Sequence, residues 1–107
     1  MTTFDEREKG YERKFQQDQE LAFKVKARRN KLLGLWAAKE LGLAGAAAEK
    51  YASEIVQTDL ERPIVEDIVA KLSTDLKKKG LACDETRVRV ELERCEAEAK
   101  KQLGAVK

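Results

Sequence analysis

The sequence predicts an all-α fold, a four-helix bundle with an N-terminal helical extension that is marginally stable or mobile when free. Apolar residues recur at helical spacing along most of the 107 residues, a length typical of one domain. Only six glycines and one proline are present, which leaves few turns. The alternation of apolar and polar residues that marks half-buried strands is hard to find.

The leading segment, residues 1–20, carries one narrow aromatic seam. Thr3 and Glu6 have the T-x-x-E spacing of a capping box, which predicts a helix start there. At about 100° per residue, three aromatic residues fall within about 40° of one another on a helical wheel. They are Phe4, Tyr11 and Phe15. Most neighbouring residues are charged and Gly10 disfavours helix, so the isolated segment should be a marginal helix.

Residues 21–107 are predicted to form the bundle from four amphipathic helices. The first reaches about Leu41 and ends at Gly42, which suits a left-handed cap. Only Gly10 interrupts the pattern upstream, so the sequence allows one long helix over about residues 4–41. Its broad apolar stripe comprises Leu21, Ala22, Val25, Leu32, Leu33, Leu35 and Trp36.

The other three helices follow from similar signals. One covers about residues 46–60 and ends before Pro63. The next is closed by Gly80, and the last begins after Asp84, a good N-cap. Their predicted buried faces are Ala48, Tyr51, Ala52, Ile55 and Val56; Val65, Ile68, Val69, Leu72 and Leu76; and Val88, Leu92, Cys95, Ala99 and Leu103.

Composition argues against catalysis and against several kinds of site. The chain has no histidine, the commonest general base and zinc ligand. It has no phosphate-binding glycine motif and no nucleophile elbow. Cys83 and Cys95 lack the spacing of a redox or disulfide motif. We therefore expect no enzyme activity, no metal and no cofactor.

Charge and hydropathy indicate a cytoplasmic protein. The net charge is only +2, whereas duplex-binding domains usually show a clear basic excess. No apolar run approaches 18 residues, so no transmembrane helix is expected. The N-terminus is acidic where a signal peptide would be basic and then apolar.

Two features leave alternatives open. The aromatic seam either folds back onto the bundle or docks in a partner's groove. Arg28 and Arg29 fall within the apolar stripe, where each must snorkel, pair with a carboxylate or meet a charged partner. With Trp36 nearby, the basic block Lys24–Lys31 also permits the rival interpretation of a nucleic-acid-associated protein, although Trp36 fits the core better.

Stretches along nearly the whole chain resemble the zeta subunit of alphaproteobacterial ATP synthase. The central signature is the run from Ala27 to Gly34 followed by Trp36-Ala37-Ala38. The other matching residues are Thr2-Thr3-Phe4, Arg7-Glu8, Glu12, Lys14-Phe15, Asp18, Glu20, Tyr51-Ala52, Asp59-Leu60-Glu61, Pro63, Asp67 and Asp84 to Arg87. Ile64 and Val65 depart from the family, which often has Gly-Asp after the proline.

The resemblance implies a non-catalytic inhibitor that is peripheral at the inner membrane through the ATP synthase. Residues 1–20 would be an inhibitory segment that enters a catalytic interface between alpha and beta subunits and reaches gamma, while residues 21–107 dock. The expected contacts are Phe4, Arg7, Glu8, Tyr11, Glu12, Lys14 and Phe15, with Arg28 and Arg29 as secondary contacts. The free protein should be a monomer that does not bind nucleic acid and does not insert directly into a membrane. Weak adenine nucleotide binding is implied by the resemblance alone.

Overall fold

The computed structural model describes the backbone of residues 2–81 and 85–104, and the side chains of residues 19–81 and 85–104. The described chain forms four α-helices and contains no strand. They are α1 (Thr2–Glu40), α2 (Gly45–Glu61), α3 (Val65–Lys78) and α4 (Glu85–Gln102). The predicted all-α class and the four-helix bundle are confirmed.

Helix α1 is much longer than the others. It has 39 residues, against 17, 14 and 18 in α2, α3 and α4. The leading segment and the first bundle helix are therefore one unbroken element. Because α1 begins at Thr2, Thr3 lies inside its first turn and is not the N-cap that the capping box predicted. Asp84, the predicted cap of α4, lies outside the described residues.

All four helices contribute to a single core. Its buried members are Leu33, Ala37, Ile55, Ile68, Val69, Leu72, Leu76, Val88, Leu92 and Cys95. These residues follow the predicted stripes closely. Val65 does not: it is the first residue of α3 and stays 36% exposed, because the stripe reaches the core only from Ile68 onward. Ala22 is also exposed, since the buried residues of α1 begin at Val25 among its described side chains.

Two glycines set the geometry around α1. A Cβ at Gly34 would lie 2.6 Å from the Cα of Ala52, so α1 and α2 pack backbone against backbone there. Gly42 ends the helix with φ of 79°, the left-handed conformation predicted for it. None of the helices in the described part of the chain combines the length and apolarity needed to cross a bilayer.

Candidate functional site

The predicted inhibitory residues all lie on the leading part of α1. They are Phe4, Arg7, Glu8, Tyr11, Glu12, Lys14 and Phe15, and their side chains are outside those that the structure describes. The backbone is helical at each of these positions. Since the helix is unbroken, positions 4, 11 and 15 keep the helical register that the aromatic seam assumed. Cys83 is likewise outside the described residues.

The two neighbouring arginines of α1 lie in different environments. Arg29 is buried, with Nη1 3.8 Å from Glu96 Oε1 on α4, and its Nε donates to Asn30 Oδ1 at 3.1 Å. Arg28 is exposed. The geometry therefore supports the intramolecular carboxylate pair for Arg29.

A surface around Phe23, which the sequence analysis missed, exposes apolar side chains near the start of the bundle. Phe23 is 58% exposed and Leu60 of α2 is 51% exposed, and both line one depression of about 270 Å³. A second, shallower depression of about 400 Å³ adjoins it on the other side of Phe23. We call this the Phe23 surface; its remaining lining residues are Lys24, Lys26, Ala27, Arg28, Asn30, Lys31, Val56, Asp59, Pro63 and Leu103.

The signal for this surface was present in the basic block. Phe23 lies outside the apolar stripe of α1, next to Lys24 and close to Lys26 and Arg28. An aromatic residue placed off the buried face and among cations is a recognisable surface anchor. The depression itself could not be foreseen, because Leu60 and Pro63 reach it only through the packing of α2 against α1.

The Trp36 side chain makes its contacts within the bundle. It packs half-buried against the core, and the guanidinium carbon of Arg87 lies 5.5 Å from its ring centroid. Arg87 also pairs with Glu40 at 3.4 Å. A cation over its ring leaves Trp36 poorly placed to stack on a nucleic-acid base. This geometry weighs against the nucleic-acid interpretation of the basic block.

The polar contacts between α2, α3 and α4 are structural. The Tyr51 hydroxyl donates to Asp75 Oδ2 at 2.8 Å, and Lys71 Nζ lies 3.3 Å from the same oxygen. Burial and then the Asp75 hydrogen bond raise the pKa of Tyr51 well above its ordinary value. A tyrosine that resists ionisation is a poor base or nucleophile, so this cluster ties α2 to α3.

Two other shifted groups also have structural explanations. The hydrogen bond from Arg89 holds the pKa of the Glu66 carboxyl below its usual range and links α3 to α4. Burial raises the pKa of the Cys95 thiol, which keeps it protonated and unreactive. Among the described residues, no group of three or more His, Cys, Asp or Glu could hold a metal ion.

Comparison with known proteins gave one family. The family model described as ATPase inhibitor subunit zeta matches residues 1–102, which is nearly the whole chain. No curated protein sequence matches the chain.

Proposed function

Because the chain belongs to the ATPase inhibitor subunit zeta family, we propose that it blocks ATP hydrolysis by inserting the leading segment of α1 into the ATP synthase head. Family membership supports the inhibitor role and the binding to ATP synthase. We add three parts to this: the insertion, the identity of the contacted subunits as alpha, beta and gamma, and the roles of individual residues.

The observation that carries this proposal is the length of α1. At about 1.5 Å per residue, a helix of this length spans about 58 Å, more than twice the length of α2. The molecule measures 67 × 25 × 24 Å, so its long axis exceeds the bundle width by far. Among its described side chains, α1 contributes buried residues only from Val25 onward. Its leading segment is therefore a rod with the dimensions to enter a cleft in a partner.

The residue types of the leading segment suit that role. Phe4, Tyr11 and Phe15 would be the apolar anchors that fill the cleft between an alpha and a beta subunit. Charged residues on the flanks would set the register by pairing across the interface. They are Arg7, Glu8, Glu12 and Lys14. The inserted leading segment would act as a wedge that holds the interface between the subunits shut. It would stop hydrolysis, because turnover requires that interface to open.

The bundle would act as the docking domain, residues 21–107. By holding the leading helix close to the cleft, it raises the effective concentration of that helix there. Since α1 is continuous, the bundle also fixes the direction in which the leading segment points. Neither step uses a cofactor. Adenine nucleotide binding stays an expectation of the resemblance, as no nucleotide motif occurs in the sequence.

Deleting residues 1–18 from the full chain tests this mechanism. ATP hydrolysis by a purified synthase head should be inhibited by the intact protein and unaffected by the deletion variant. In the intact chain, Phe15→Ala should raise the half-inhibitory concentration by about fivefold or more if Phe15 is an anchor. Val90→Ala is the matched control, because Val90 is an exposed apolar residue on α4. Unchanged inhibition by the deletion variant would refute the wedge.

A further inference from the structure

We propose that the Phe23 surface is a second docking site, and that it binds an acidic segment of the synthase head whose central side chain has an apolar body and a hydrogen-bond donor at its tip. This inference rests on the proposed function and assigns the part of the bundle that contacts the head. It concerns described residues only, none of which belongs to the leading segment.

Two large exposed apolar residues meet at this surface. Of the five large apolar residues that are exposed in the described chain, Phe23 and Leu60 line one depression, and Ile64 and Val65 follow directly after Pro63 of its lining. Val90 lies on α4. Single exposed apolar residues need no explanation, but two from different helices that line the same depression indicate an interaction site.

The size of the depression suits one side chain. Its volume of about 270 Å³ is below the range typical of pockets for drug-sized ligands. Phe23, Val56 and Leu60 supply apolar walls from both α1 and α2. A single large side chain projecting from a partner would fill it, which is the usual form of an anchor residue in a protein interface.

The polar lining selects the tip of that side chain. Asn30 is 1% exposed and Asp59 only 9% exposed, and both line the depression. An occupant of the depression would cover Asp59 further. Burying a carboxylate without a hydrogen-bond donor is costly, so a purely hydrocarbon side chain would bind poorly. Tyrosine, tryptophan, arginine and lysine side chains each meet this requirement.

The rim selects the charge of the segment. Lys24, Lys26 and Arg28 are exposed beside Phe23, and Lys31 is held only loosely, 4.0 Å from Glu49 with both side chains at least half exposed. Flanking carboxylates on the partner would complement this rim and speed association. A second copy of the chain would bring like charges together, and a phosphate backbone would meet Asp59. An acidic protein segment that carries such a donor matches both the basic rim and the Asp59 carboxylate of the lining.

The position on α1 couples this site to the inhibitory segment. Phe23 lies eight residues after Phe15 on the same helix, which is about 12 Å along its axis. A head that holds the leading segment in its cleft would therefore present the surface at the cleft mouth to Phe23. Two contacts on one rigid helix bind together, and the second contact slows dissociation.

Direct binding of the full-length chain to the purified head, measured separately from hydrolysis, tests the docking site. We expect Phe23→Ser and Leu60→Ser each to raise Kd by about tenfold, while Val90→Ser stays within about twofold. The double variant Lys24→Glu, Lys26→Glu should weaken binding and flatten its salt dependence, whereas Lys77→Glu, Lys78→Glu at the exposed end of α3 should not. Asp59→Asn should raise Kd by about threefold or more.

The outcomes separate this inference from the proposed function. Full inhibition by the wild-type chain, with Phe23→Ser indistinguishable from Val90→Ser, would overturn the docking site alone. Binding that depends on Phe23 but gives no inhibition would support the docking site and overturn the wedge. Failure of the intact chain to bind the head would overturn both. Oligonucleotide binding that is lost in Phe23→Ser would overturn the assignment of the occupant as an acidic protein. Because all substituted apolar side chains are exposed, unchanged thermal unfolding checks each variant.

Discussion

Gly34 shows how a single residue controls the distance between two helices. Its missing side chain lets α1 approach α2 so closely that an added Cβ would lie 2.6 Å from backbone and 3.2 Å from Ile55 Cγ1. The nearest atom is the Cα of Ala52, which cannot turn aside as the end of a long side chain could. Relief would require the two helices to separate, and that would loosen the core around Leu33 and Ile55.

We therefore expect Gly34→Ala to destabilise the bundle, although alanine has the better helix propensity. The clash should outweigh the gain of about 1 kcal/mol in propensity and lower the free energy of unfolding by about 1–3 kcal/mol. Urea unfolding followed by circular dichroism measures it. Ala22→Leu, on the exposed face of the same helix, is the control and should stay within about 0.5 kcal/mol. A Gly34→Ala variant as stable as the parent would show that α1 and α2 can separate at little cost.

Tyr51 makes the stability of the folded protein fall at alkaline pH. Its pKa is raised in the folded state by burial and by the Asp75 hydrogen bond, while the unfolded chain ionises near pH 10. The folded protein thus holds the proton longer, and this contribution to stability is complete below about pH 10 and is lost as the pH rises further.

Ultraviolet titration of tyrosinate in a Tyr11→Phe variant reports this directly, because Tyr51 is then the only tyrosine. We expect little ionisation near pH 10 in the folded protein and a midpoint near 10 in denaturant. In Tyr51→Phe, the free energy of unfolding should be lower at neutral pH by about 1 kcal/mol and should fall less above pH 10. A folded-state midpoint at the ordinary value would mean that the hydroxyl is open to water.

At the scale of elements, α1 has two parts with different sources of stability. From Val25 onward its buried residues pack on the other helices, so tertiary contacts stabilise the helix. The leading segment continues a helix that is already formed. Propagating an existing helix avoids the nucleation cost that an isolated peptide would meet. The same argument explains why a marginal sequence continues α1 without a break.

This division also explains why deletion of residues 1–18 should leave a folded bundle. Among the described side chains, the main core cluster begins at Leu33 and the first buried residue is Val25. The thermal unfolding transition of the deletion variant should therefore stay cooperative, which makes its loss of inhibition interpretable.

The N-terminus of α3 lacks a side-chain cap, and nearby charged residues compensate for it. Ile64 occupies the N-cap of α3 and offers no side-chain cap. Glu66 and Asp67 lie in the first turn, where negative charge interacts favourably with the helix dipole. Asp67 also pairs with Arg62 at 3.2 Å across the turn. These charges compensate for the missing side-chain cap at the start of α3.

At the scale of the whole molecule, the protein is elongated. Its radius of gyration is 17.5 Å, whereas a compact chain of this length would have about 13 Å. The difference arises from α1, whose leading part continues beyond the bundle.

Small-angle X-ray scattering should therefore separate two arrangements of the free protein. An extended leading helix predicts a radius of gyration near 17.5 Å, which deletion of residues 1–18 should reduce to about 12–13 Å. A value near 13 Å for the intact monomer would show that the segment folds back onto the bundle in solution. In that case inhibition would require a release step.

The sequence by itself determined the helices, their buried stripes and the family, because helical periodicity and capping are local and the family signature is linear. It placed Val88, Leu92, Cys95 and Ala99 on one buried face of α4, for instance. Only the tertiary structure decided which residues at the edges of those stripes are buried and which stay exposed. Arg28 and Arg29 both fall within the apolar stripe on a helical wheel. Only Arg29 is buried, because α4 places Glu96 beside it. Phe23 became part of a depression only because α2 brings Leu60 beside it. Periodicity specifies the direction in which a side chain points, whereas burial depends on which neighbouring helix lies there.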